Sequence, residues 1–302
     1  MELKIGVIGA GSWGTTLAIL LAQKGYRVTL WVYEADQLEI MRQKRENIKY
    51  LPGISLPDNL VLSGNLSETV SKAEYLVLAV PTHAMRTVCE QIQSLVHPEQ
   101  IVVNVSKGIE NVTLKRMSEV IRETLNLPVG NIVSLYGPSH AEEVSRGIAT
   151  AVVAACPDLN TARKVRELFF TDYFRVYSHD DIVGVECGGS LKNVIAIAAG
   201  ICDGAGFGDN TKAALLTRGL VEMARLGTRM GARRETFSGL SGMGDLIVTC
   251  MSKHSRNRYV GEQIGKGKTL EQVLSEMVMV AEGVKTTQSV HELALQYQVE
   301  MP

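Results

Sequence analysis

KIGVIGAGSWGTTLAILLAQK (4–24) is the stretch that decides the fold of this chain. Its first five residues, Lys4–Ile8, form an apolar run rich in β-branched residues, typical of a buried parallel strand. Gly9, Gly11 and Gly14 follow at G-x-G-x-x-G spacing, and a helical pattern follows them at once. Strand, glycines and helix in this order predict a tight turn whose backbone can approach a pyrophosphate at a helix N-terminus.

An acidic residue follows the next predicted strand, Arg27–Val32. Glu34 stands 20 residues after Gly14, where an acid that binds the ribose hydroxyls of a dinucleotide is expected. The alternative is a glycine-rich turn that serves packing alone. Because strand, glycines, helix and acid occur together, dinucleotide binding is favoured.

Apolar runs alternate with helical patterns along the first part of the chain. Strands are predicted at 75–80, 100–105, 131–135, 149–154 and 173–177, and helices at 15–24, 83–95, 114–125 and 159–170. This βαβα alternation predicts an α/β fold with a doubly wound parallel (Rossmann-like) sheet. Later patterns are helical, at 190–201, 209–229, 257–264, 270–277 and 284–297, and the apolar run 246–248 fits a strand or a helix. We therefore predict a dinucleotide-binding domain at 1–179 and a separate all-helical domain for substrate binding and catalysis at 180–302.

Charge and composition restrict the partners of this 302-residue chain. Its 31 Lys and Arg residues nearly balance 32 Asp and Glu residues, so we expect no binding to nucleic acid or to an anionic membrane. No run of 18 apolar residues and no N-terminal secretory signal is found, which predicts a cytoplasmic location without stable membrane insertion. Its five cysteines and six histidines have no metal-ligand spacing, so no metal site is predicted.

Lys192 and Asn193 lie in VGVECGGSLKNVIAIAAGICDGAGFG (183–208), a stretch that is apolar almost all round. Burial of an ammonium group is costly unless the group is paired, and it lowers the lysine pKa toward the range of proton exchange. The alternative is a lysine near a helix end that extends into water. A buried Lys192 requires an acidic partner, a substrate or both. Asp245 in SGMGD (241–245) is the candidate partner, although an aspartate there also fits a turn or a helix cap.

Three polar or glycine-containing segments directly follow predicted strands, where open parallel sheets bind their ligands. They are Pro81–His83, Ser106–Gly108 and Gly137–Ser139. Lys107 could polarise a carbonyl oxygen or meet a phosphate, or it could lie in solvent. Ser139 could contact a ligand, or it could cap a helix that begins near His140.

Ser255, Arg256 and Asn257 open a helical pattern in the second half of the chain. A serine N-cap, free backbone N–H groups and a guanidinium together suit a phosphate monoester. A solvated basic turn is the alternative. Taken together, these features predict an NAD(P)-dependent dehydrogenase that acts on a small phosphorylated ketone or alcohol.

Two other functions stay open from the residues alone. A related two-domain dehydrogenase could act on a β-hydroxy acid or a sugar acid, although residues 255–257 suit a phosphate better than a carboxylate. A redox-sensing protein could bind NADH without turnover, although such a protein needs no proton donor like Lys192.

Eight segments resemble the bacterial type of NAD(P)-dependent glycerol-3-phosphate dehydrogenase. They are GAGSWGTTLA (9–18), RENIKYLPGISLP (45–57), SKGIE (106–110), GPSHAEEV (137–144), GGSLKNVIAIAAGICDGAGFGDNTKAALLTRGL (188–220), SGLSGMGDLIVTC (238–250), SRNR (255–258) and VAEGVKTT (280–287). The resemblance implies the reduction of dihydroxyacetone phosphate to sn-glycerol 3-phosphate, a precursor of glycerophospholipids, by a cytoplasmic homodimer. Members of the family usually continue beyond the position of Pro302 with further helices.

The resemblance also implies roles for individual residues. It makes Lys192 the proton donor and acceptor. As further catalytic residues we expect Asp245, which would orient Lys192, and Lys107, which would stabilise charge on oxygen. The expected substrate-binding residues are Lys107, Gly137, Ser139, Lys192, Asp245, Ser255, Arg256 and Asn257, to which we add Asn193 beside Lys192. The cofactor-binding residues that the resemblance implies are Ser12, Trp13, Tyr33, Tyr50, Lys107, Ala141, Arg256, Val280 and Glu282. The glycine turn and the acid after the second strand add Gly9, Gly11, Gly14 and Glu34.

The region after the second strand bears on the choice of cofactor. Family members that favour NADP often carry Arg or His where this chain has Val32 and Tyr33, and here Glu34 follows. A carboxylate repels a ribose 2′-phosphate, so of NAD and NADP we expect NAD to be preferred.

Overall fold

The computed structural model describes residues 3–277 and 279–302, which fall into two compact units. The first unit contains the residues up to Ser106, Ser118–Leu135 and Ser139–Asp180. The second contains Lys107–Met117, Tyr136–Pro138 and Asp181–Pro302. Two short segments near the ends of strands, Lys107–Met117 and Tyr136–Pro138, therefore belong to the second unit. The predicted domains, 1–179 and 180–302, assign both segments to the first.

Most strands of the chain form one sheet. The strands are β1 (Lys4–Ile8), β2 (Arg27–Trp31), β3 (Glu46–Asn47), β4 (Leu51–Ser55), β5 (Val61–Ser63), β6 (Tyr75–Leu78), β7 (Ile101–Asn104), β8 (Ile132–Tyr136), β9 (Thr150–Ala155) and β10 (Phe174–His179). Eight of them lie in the order β10-β9-β8-β7-β6-β1-β2-β5, and β3 and β4 form a separate antiparallel pair. Strands β2 and β6 lie on opposite sides of β1, and both pair with it in parallel. The chain extends the sheet first on the β2 side and later on the β6 side, so the strand order reverses at β1. Sheets of this kind bind their ligands at such a reversal, outside the carboxyl ends of the strands.

The helices lie between these strands and after the last of them, and they are numbered along the chain. They are α1 (Ser12–Gln23), α2 (Ala35–Lys44), α3 (Leu66–Ser71), α4 (Met85–Ile92), α5 (Met117–Leu125), α6 (Ala141–Val144), α7 (Leu159–Phe169), α8 (Ile182–Gly204), α9 (Asp209–Arg229), α10 (Asp245–Met251), α11 (Arg256–Gly265), α12 (Leu270–Glu276) and α13 (Glu282–Gln296). A parallel-dominated sheet with helices precedes a helical region, and the predicted fold class is confirmed. The run 246–248, which left strand and helix open, lies in α10.

Backbone contacts between glycines fix the first turn of the sheet. Gly9 has a φ of +111°, which favours glycine, and a Cβ built there would lie 2.7 Å from the carbonyl oxygen of Ala79. A Cβ built on Gly14 would lie 1.9 Å from the carbonyl oxygen of Gly9. Helix α1 can therefore begin this close to the end of β1 only because residue 14 has no side chain.

Helix α8 begins at Ile182, so the predicted start at residue 190 is wrong. Asp181 caps the helix by accepting a hydrogen bond from the Gly184 N–H at 2.8 Å. Gly188 and Gly189, which disfavour a helix by intrinsic propensity, lie inside it. A Cβ on Gly188 would lie 2.5 Å from the Ser241 carbonyl oxygen, so close packing explains a glycine inside this helix.

Helix α8 is long and apolar enough to cross a membrane, by length and composition alone. Within the described residues, α8 has a mean hydropathy of 1.4 over its most apolar 18-residue window, and 78% of that window is buried inside the protein. The sequence predicts no 18-residue apolar run here, because polar residues such as Glu186 and Lys192 interrupt the apolar residues of this helix. Its burial identifies α8 as the core helix of the second unit.

Helices α8 and α11 pack backbone against backbone. A Cβ on Gly200 would lie 2.0 Å from the Arg258 carbonyl oxygen, and one on Gly261 would lie 1.9 Å from the Ile197 carbonyl oxygen. Two glycines, one on each helix, therefore allow this close approach. The contact fixes the N-terminal turn of α11 relative to α8.

We expect Gly14→Ala to lower the free energy of unfolding by about 2 kcal/mol or more, because the new Cβ requires the β1–α1 turn to move. Gly11→Ala is the matched control, since Gly11 has a φ of −71° and no atom lies within 4 Å of a Cβ built on it. The control should change the free energy of unfolding by less than about 1 kcal/mol, the loss expected when alanine replaces glycine at a helix N-cap. Urea unfolding followed by circular dichroism measures both variants, and equal stability of the two would contradict the packing role of Gly14.

Candidate active site

Lys192 lies in the middle of α8 and is 5% exposed. Its Nζ donates hydrogen bonds to Asp245 Oδ1 at 2.5 Å and to Thr249 Oγ1 at 2.6 Å. Asp245 and Thr249 are one helical turn apart at the start of α10, so both side chains face the same lysine. The predicted pairing of Lys192 with Asp245 is present, and Thr249 is an additional partner.

Lys107 meets the other oxygen of the same carboxylate. Its Nζ donates to Asp245 Oδ2 at 2.7 Å and to the Gly137 carbonyl oxygen at 2.9 Å. The Lys107 ammonium also lies 5.7 Å from the centre of the Tyr136 ring. Asp245, which is 1% exposed, therefore bridges two ammonium groups.

The surroundings lower the pKa of Lys192 to about 8. Burial is the largest cause, because it disfavours the charged form, and the nearby charge of Lys107 acts in the same direction. Asp245 opposes both effects by stabilising the ammonium. An amine with this pKa can give up and regain a proton near neutral pH.

The segment that carries Lys107 is tied to α8 at two points. Asn193 Nδ2 lies 3.4 Å from the carbonyl oxygen of Lys107, a weak hydrogen bond. Arg116 Nη1 pairs with Glu186 Oε2 at 2.6 Å, and both side chains are largely buried. These contacts fix the position of the Lys107 segment relative to Lys192 on α8.

The N-terminal turn of α11 contains the predicted phosphate-binding residues. Ser255 caps the helix as predicted, since its side chain accepts from the Arg258 N–H at 3.2 Å. Arg256 is exposed and donates to the Val280 carbonyl oxygen at 2.8 Å. Asn257 is buried, and its Oδ1 accepts from the Gly283 N–H at 2.9 Å.

Gly283 connects this turn with the residue that follows Lys192. A Cβ on Gly283 would lie 2.8 Å from both the Asn193 carbonyl oxygen and Asn257 Oδ1. Glu282, the first residue of α13, directly precedes this contact. The structure therefore places Asn193, Asn257 and Glu282 next to one another.

The glycine turn of the first unit has the properties that a pyrophosphate requires. Gly11 is the N-cap of α1, no side chain caps this helix end, and open space surrounds the position of a Cβ on Gly11. Ser12 is buried and Trp13 half-buried in the first turn. An uncapped helix N-terminus preceded by an open glycine fits an anionic bridge, so these residues fit a dinucleotide.

Glu34, the predicted ribose-binding acid, is engaged by two side chains. Lys49 Nζ donates to its Oε1 at 2.6 Å, and the Tyr50 hydroxyl lies 3.1 Å from its Oε2. Tyr33 is 82% exposed and packs edge-on against Trp31, with ring centres 5.8 Å apart. Glu34 and Tyr50 thus lie together, as the predicted cofactor site requires.

Asn47, which sequence reasoning missed, joins this group to the glycine turn. It is fully buried, and its Nδ2 donates to the Ala10 carbonyl oxygen and to Thr15 Oγ1, each at 2.8 Å. Its Oδ1 accepts from the Tyr50 N–H at 3.2 Å. The residues around Asn47 gave no local sign of its contacts with Ala10 and Thr15, because these partners lie more than 30 residues earlier in the chain.

Two predicted residues near β8 lie in the first unit. Ala141 is buried, and its carbonyl oxygen accepts from Thr16 Oγ1 at 3.4 Å. Ser139 is half-buried and stands one position before His140, the N-cap residue of α6.

The predicted site residues form groups that belong to different units. The first unit contains Gly9, Gly11, Ser12, Trp13, Gly14, Tyr33, Glu34, Tyr50, Ser139 and Ala141. The second contains Lys107, Gly137, Lys192, Asn193, Asp245, Ser255, Arg256, Asn257, Val280 and Glu282. Sequence reasoning missed Asn47 and Lys49, which contact residues of the first group, and Thr249, which contacts Lys192 in the second.

The chain matches known proteins over nearly its whole length. Residues 4–162 match the family described as NAD-dependent glycerol-3-phosphate dehydrogenase N-terminus, and residues 181–302 match the corresponding C-terminus. A glycerol-3-phosphate dehydrogenase [NAD(P)+] from Prosthecochloris aestuarii is 56% identical over 99% of this chain and 90% of the relative. One of the same name from Chlorobium limicola is 54% identical over the same shares.

A solved structure agrees with these relatives. The crystal structure of glycerol-3-phosphate dehydrogenase from Coxiella burnetii is 37% identical, with a TM-score of 0.95 over 100% of this chain and 92% of that one. Family matches to both halves, relatives more than 50% identical over 99% of this chain and the same fold in a solved structure lead to one conclusion. This chain belongs to the NAD-dependent glycerol-3-phosphate dehydrogenase family.

Proposed function

We propose that this protein interconverts dihydroxyacetone phosphate and sn-glycerol 3-phosphate by hydride transfer with NAD(P)H. The reduction consumes the ketone, NAD(P)H and a proton, and it yields the alcohol and NAD(P)+. The observation that carries the proposal is the buried Lys192 amine, with a pKa lowered to about 8 by burial and two hydrogen-bond partners that aim it.

Lys192 holds the proton that the reaction requires. The bound nicotinamide supplies the hydride in reduction and accepts it in oxidation. As negative charge develops on the carbonyl oxygen, the Lys192 ammonium donates a proton to it, and in the reverse direction the neutral amine takes the proton from the alcohol. Asp245 and Thr249 keep the lysine in one orientation, because each accepts a hydrogen bond from its Nζ.

Lys107 supplies positive charge that does not need to move. Its ammonium is fixed by Asp245 and by the Gly137 carbonyl oxygen, so it is preorganised before substrate binds. Two ammonium groups and one carboxylate give this cluster one net positive charge when both lysines are protonated. We propose that this charge stabilises the oxygen of the substrate as it becomes anionic.

The first turn of α11 is the proposed site for the phosphate of the substrate. Backbone N–H groups of a helix N-terminus and the Arg256 guanidinium both favour a phosphate over a neutral group. Ser255 and Asn257 shape this turn through the cap and through the contact with Gly283. Binding energy from this non-reacting group would then help to position the ketone.

The cofactor is proposed to bind the glycine turn of the first unit with its ribose near Glu34. The names of the relatives specify NAD(P)+, and we propose that NAD is preferred over NADP because Glu34 carries a carboxylate. Family membership further supports three proposals about the cellular role. The enzyme would be a cytoplasmic homodimer that supplies glycerol 3-phosphate for glycerophospholipid synthesis.

The direct test follows NADH absorbance with dihydroxyacetone phosphate, with a small keto acid, or with no added substrate. Oxidation of NADH with the phosphorylated ketone alone supports the proposal. Oxidation with the keto acid alone would instead identify a hydroxy-acid dehydrogenase. Binding of NADH without turnover of either substrate would identify a sensor.

We expect Lys192→Met to lower kcat by about a thousandfold, within the range of general acid–base catalysis. Folding should be retained, because Asp245 keeps Lys107 as a partner. The Kd for NADH, measured by fluorescence titration, should stay within about twofold of the unsubstituted protein. Lys266→Met, on the exposed end of α11, is the control and should leave kcat unchanged. A kcat within tenfold of the unsubstituted protein would exclude Lys192 as the proton donor.

The pH dependence of the two directions should be opposite. The Lys192 pKa near 8 predicts that kcat/KM for ketone reduction falls above about pH 8, because the ammonium is lost. For alcohol oxidation, kcat/KM should rise through the same region, because the neutral amine is the required form. Thr249→Val removes a hydrogen-bond acceptor from the ammonium, lowers the lysine pKa further and should move both limbs to lower pH.

Thr228→Val on α9 is the control for this pH experiment, since the Thr228 hydroxyl donates to a backbone carbonyl within its own helix. Its two profiles should coincide with those of the unsubstituted enzyme. Limbs that stay in place in Thr249→Val would show that the Lys192–Thr249 contact does not set the profile.

We expect Arg256→Ala to raise the KM for dihydroxyacetone phosphate by at least about tenfold, as the loss of a charge-assisted contact to phosphate predicts. The effect on kcat should be smaller, because the phosphate does not react. Arg229→Ala removes an exposed arginine from the end of α9 and is the control for a general loss of positive charge. Equal KM values for the two variants would refute phosphate binding by Arg256.

A further inference from the structure

Lys49 lies beside the acid that the sequence assigns to the ribose of the cofactor. Glu34 is the N-cap residue of α2, but its side chain does not cap that helix. Its carboxylate instead meets Lys49 Nζ at 2.6 Å, and the Tyr50 hydroxyl lies 3.2 Å from the same oxygen and 3.1 Å from the other. Both oxygens of Glu34 therefore face donors from one short segment.

The position of Lys49 is fixed by its neighbours in the chain. Asn47 anchors the segment by donating to the Ala10 carbonyl oxygen within the glycine turn. Its Oδ1 also accepts from the Gln37 side chain at 2.7 Å, which ties the segment to α2. Lys49 itself lies 5.0 Å from the centre of the Tyr50 ring. A lysine anchored in this way stays near Glu34 without being buried.

The charge of Lys49 changes what Glu34 means for cofactor choice. An isolated carboxylate binds the 2′-hydroxyl of NAD and repels the 2′-phosphate of NADP, whereas a nearby cation accommodates that phosphate. Here the two opposite charges form one ion pair whose side chains are about one third exposed, at 36% and 33%. Pairs with this exposure are weak, so a phosphate could take over the ammonium at little cost.

We propose that Lys49 determines how strongly this enzyme discriminates between NAD and NADP. Its ammonium neutralises Glu34 and is the donor that a ribose 2′-phosphate meets, so NADP is accepted beside a preferred NAD. The inference rests on the proposed binding of NAD(P) at the glycine turn. It adds a residue, fifteen positions after Glu34 in the chain, that the pattern of glycines and acid does not contain.

Two adenosine ligands test this proposal without any turnover. Adenosine 2′,5′-bisphosphate differs from 5′-AMP only by the 2′-phosphate, so the ratio of their Kd values by isothermal titration calorimetry isolates the contact in question. Lys49→Met should weaken the bisphosphate by about tenfold and change 5′-AMP by less than about twofold. Glu34→Gln should strengthen the bisphosphate, because the repulsive charge is removed and Lys49 is released from its ion pair.

Lys72→Met is the matched control, because it removes a lysine from an exposed Lys–Glu pair on the same unit, and it should leave the ratio unchanged. Equal weakening of both ligands in Lys49→Met would mean that Lys49 only supports the loop, and it would overturn the proposal. An unchanged ratio in Lys49→Met would overturn it as well. Glu34→Gln retains Lys49 and removes only the negative charge of the pair. A change of the Kd ratio opposite to that in Lys49→Met therefore supports a charge effect.

The kinetic counterpart separates this inference from the proposed function. With dihydroxyacetone phosphate, Lys49→Met should lower kcat/KM for NADPH relative to NADH by about tenfold. A protein that binds both adenosine ligands with the expected ratios but does not turn over the ketone would refute the proposed reaction and retain the role of Lys49. Turnover with an unchanged NADPH-to-NADH preference in Lys49→Met would refute the role of Lys49 alone.

Discussion

One carboxylate, Asp245, pairs with two ammonium groups, those of the buried Lys192 and the half-buried Lys107, and the second unit depends on this contact. Lys192, buried without this partner, would destabilise the fold, because nothing would offset the desolvation of its charge. A carboxylate between two ammonium groups still leaves one net positive charge at the site. A chain with a formal net charge of −1 therefore attracts an anionic substrate through a local arrangement rather than through its overall field.

Glycine contacts explain how such a cluster is kept in register. Gly200 on α8 and Gly261 on α11 let the two backbones touch, which places the N-terminal turn of α11 against the helix that carries Lys192. Gly283 lets the start of α13 lie against the Asn193 carbonyl oxygen and the Asn257 side-chain oxygen. Helices separated by side chains can shift as those side chains repack, whereas backbone-to-backbone contacts leave little freedom. The absence of side chains at Gly200, Gly261 and Gly283 thus fixes the position of the proposed proton donor relative to the proposed phosphate site.

The sequence predicted those features whose causes are local. The glycine turn, the Ser255 cap and the alternation of strands and helices depend on neighbouring residues, and the structure contains them. Lys192 required a partner on physical grounds, and Asp245 was a candidate because it is an acid among small residues. The start of α8 was predicted too late because Gly188 and Gly189 have poor helix propensity, and their contacts with distant atoms carry no local sign. Thr249, Asn47 and Lys49 were missed for the same reason, since each matters only through a partner brought close by the fold.

The two lysine–carboxylate groups of this protein differ in burial, and this difference suits their proposed tasks. The side chains of Asp245 and Lys192 are 1% and 6% exposed, so water screens their attraction only weakly and does not replace either partner. Such a pair can hold a proton donor in one position through a catalytic cycle. Glu34 and Lys49 are about one third exposed, so water screens their attraction and either group can change partner at little cost. Recognition of alternative ribose groups requires that freedom, whereas proton transfer requires its absence.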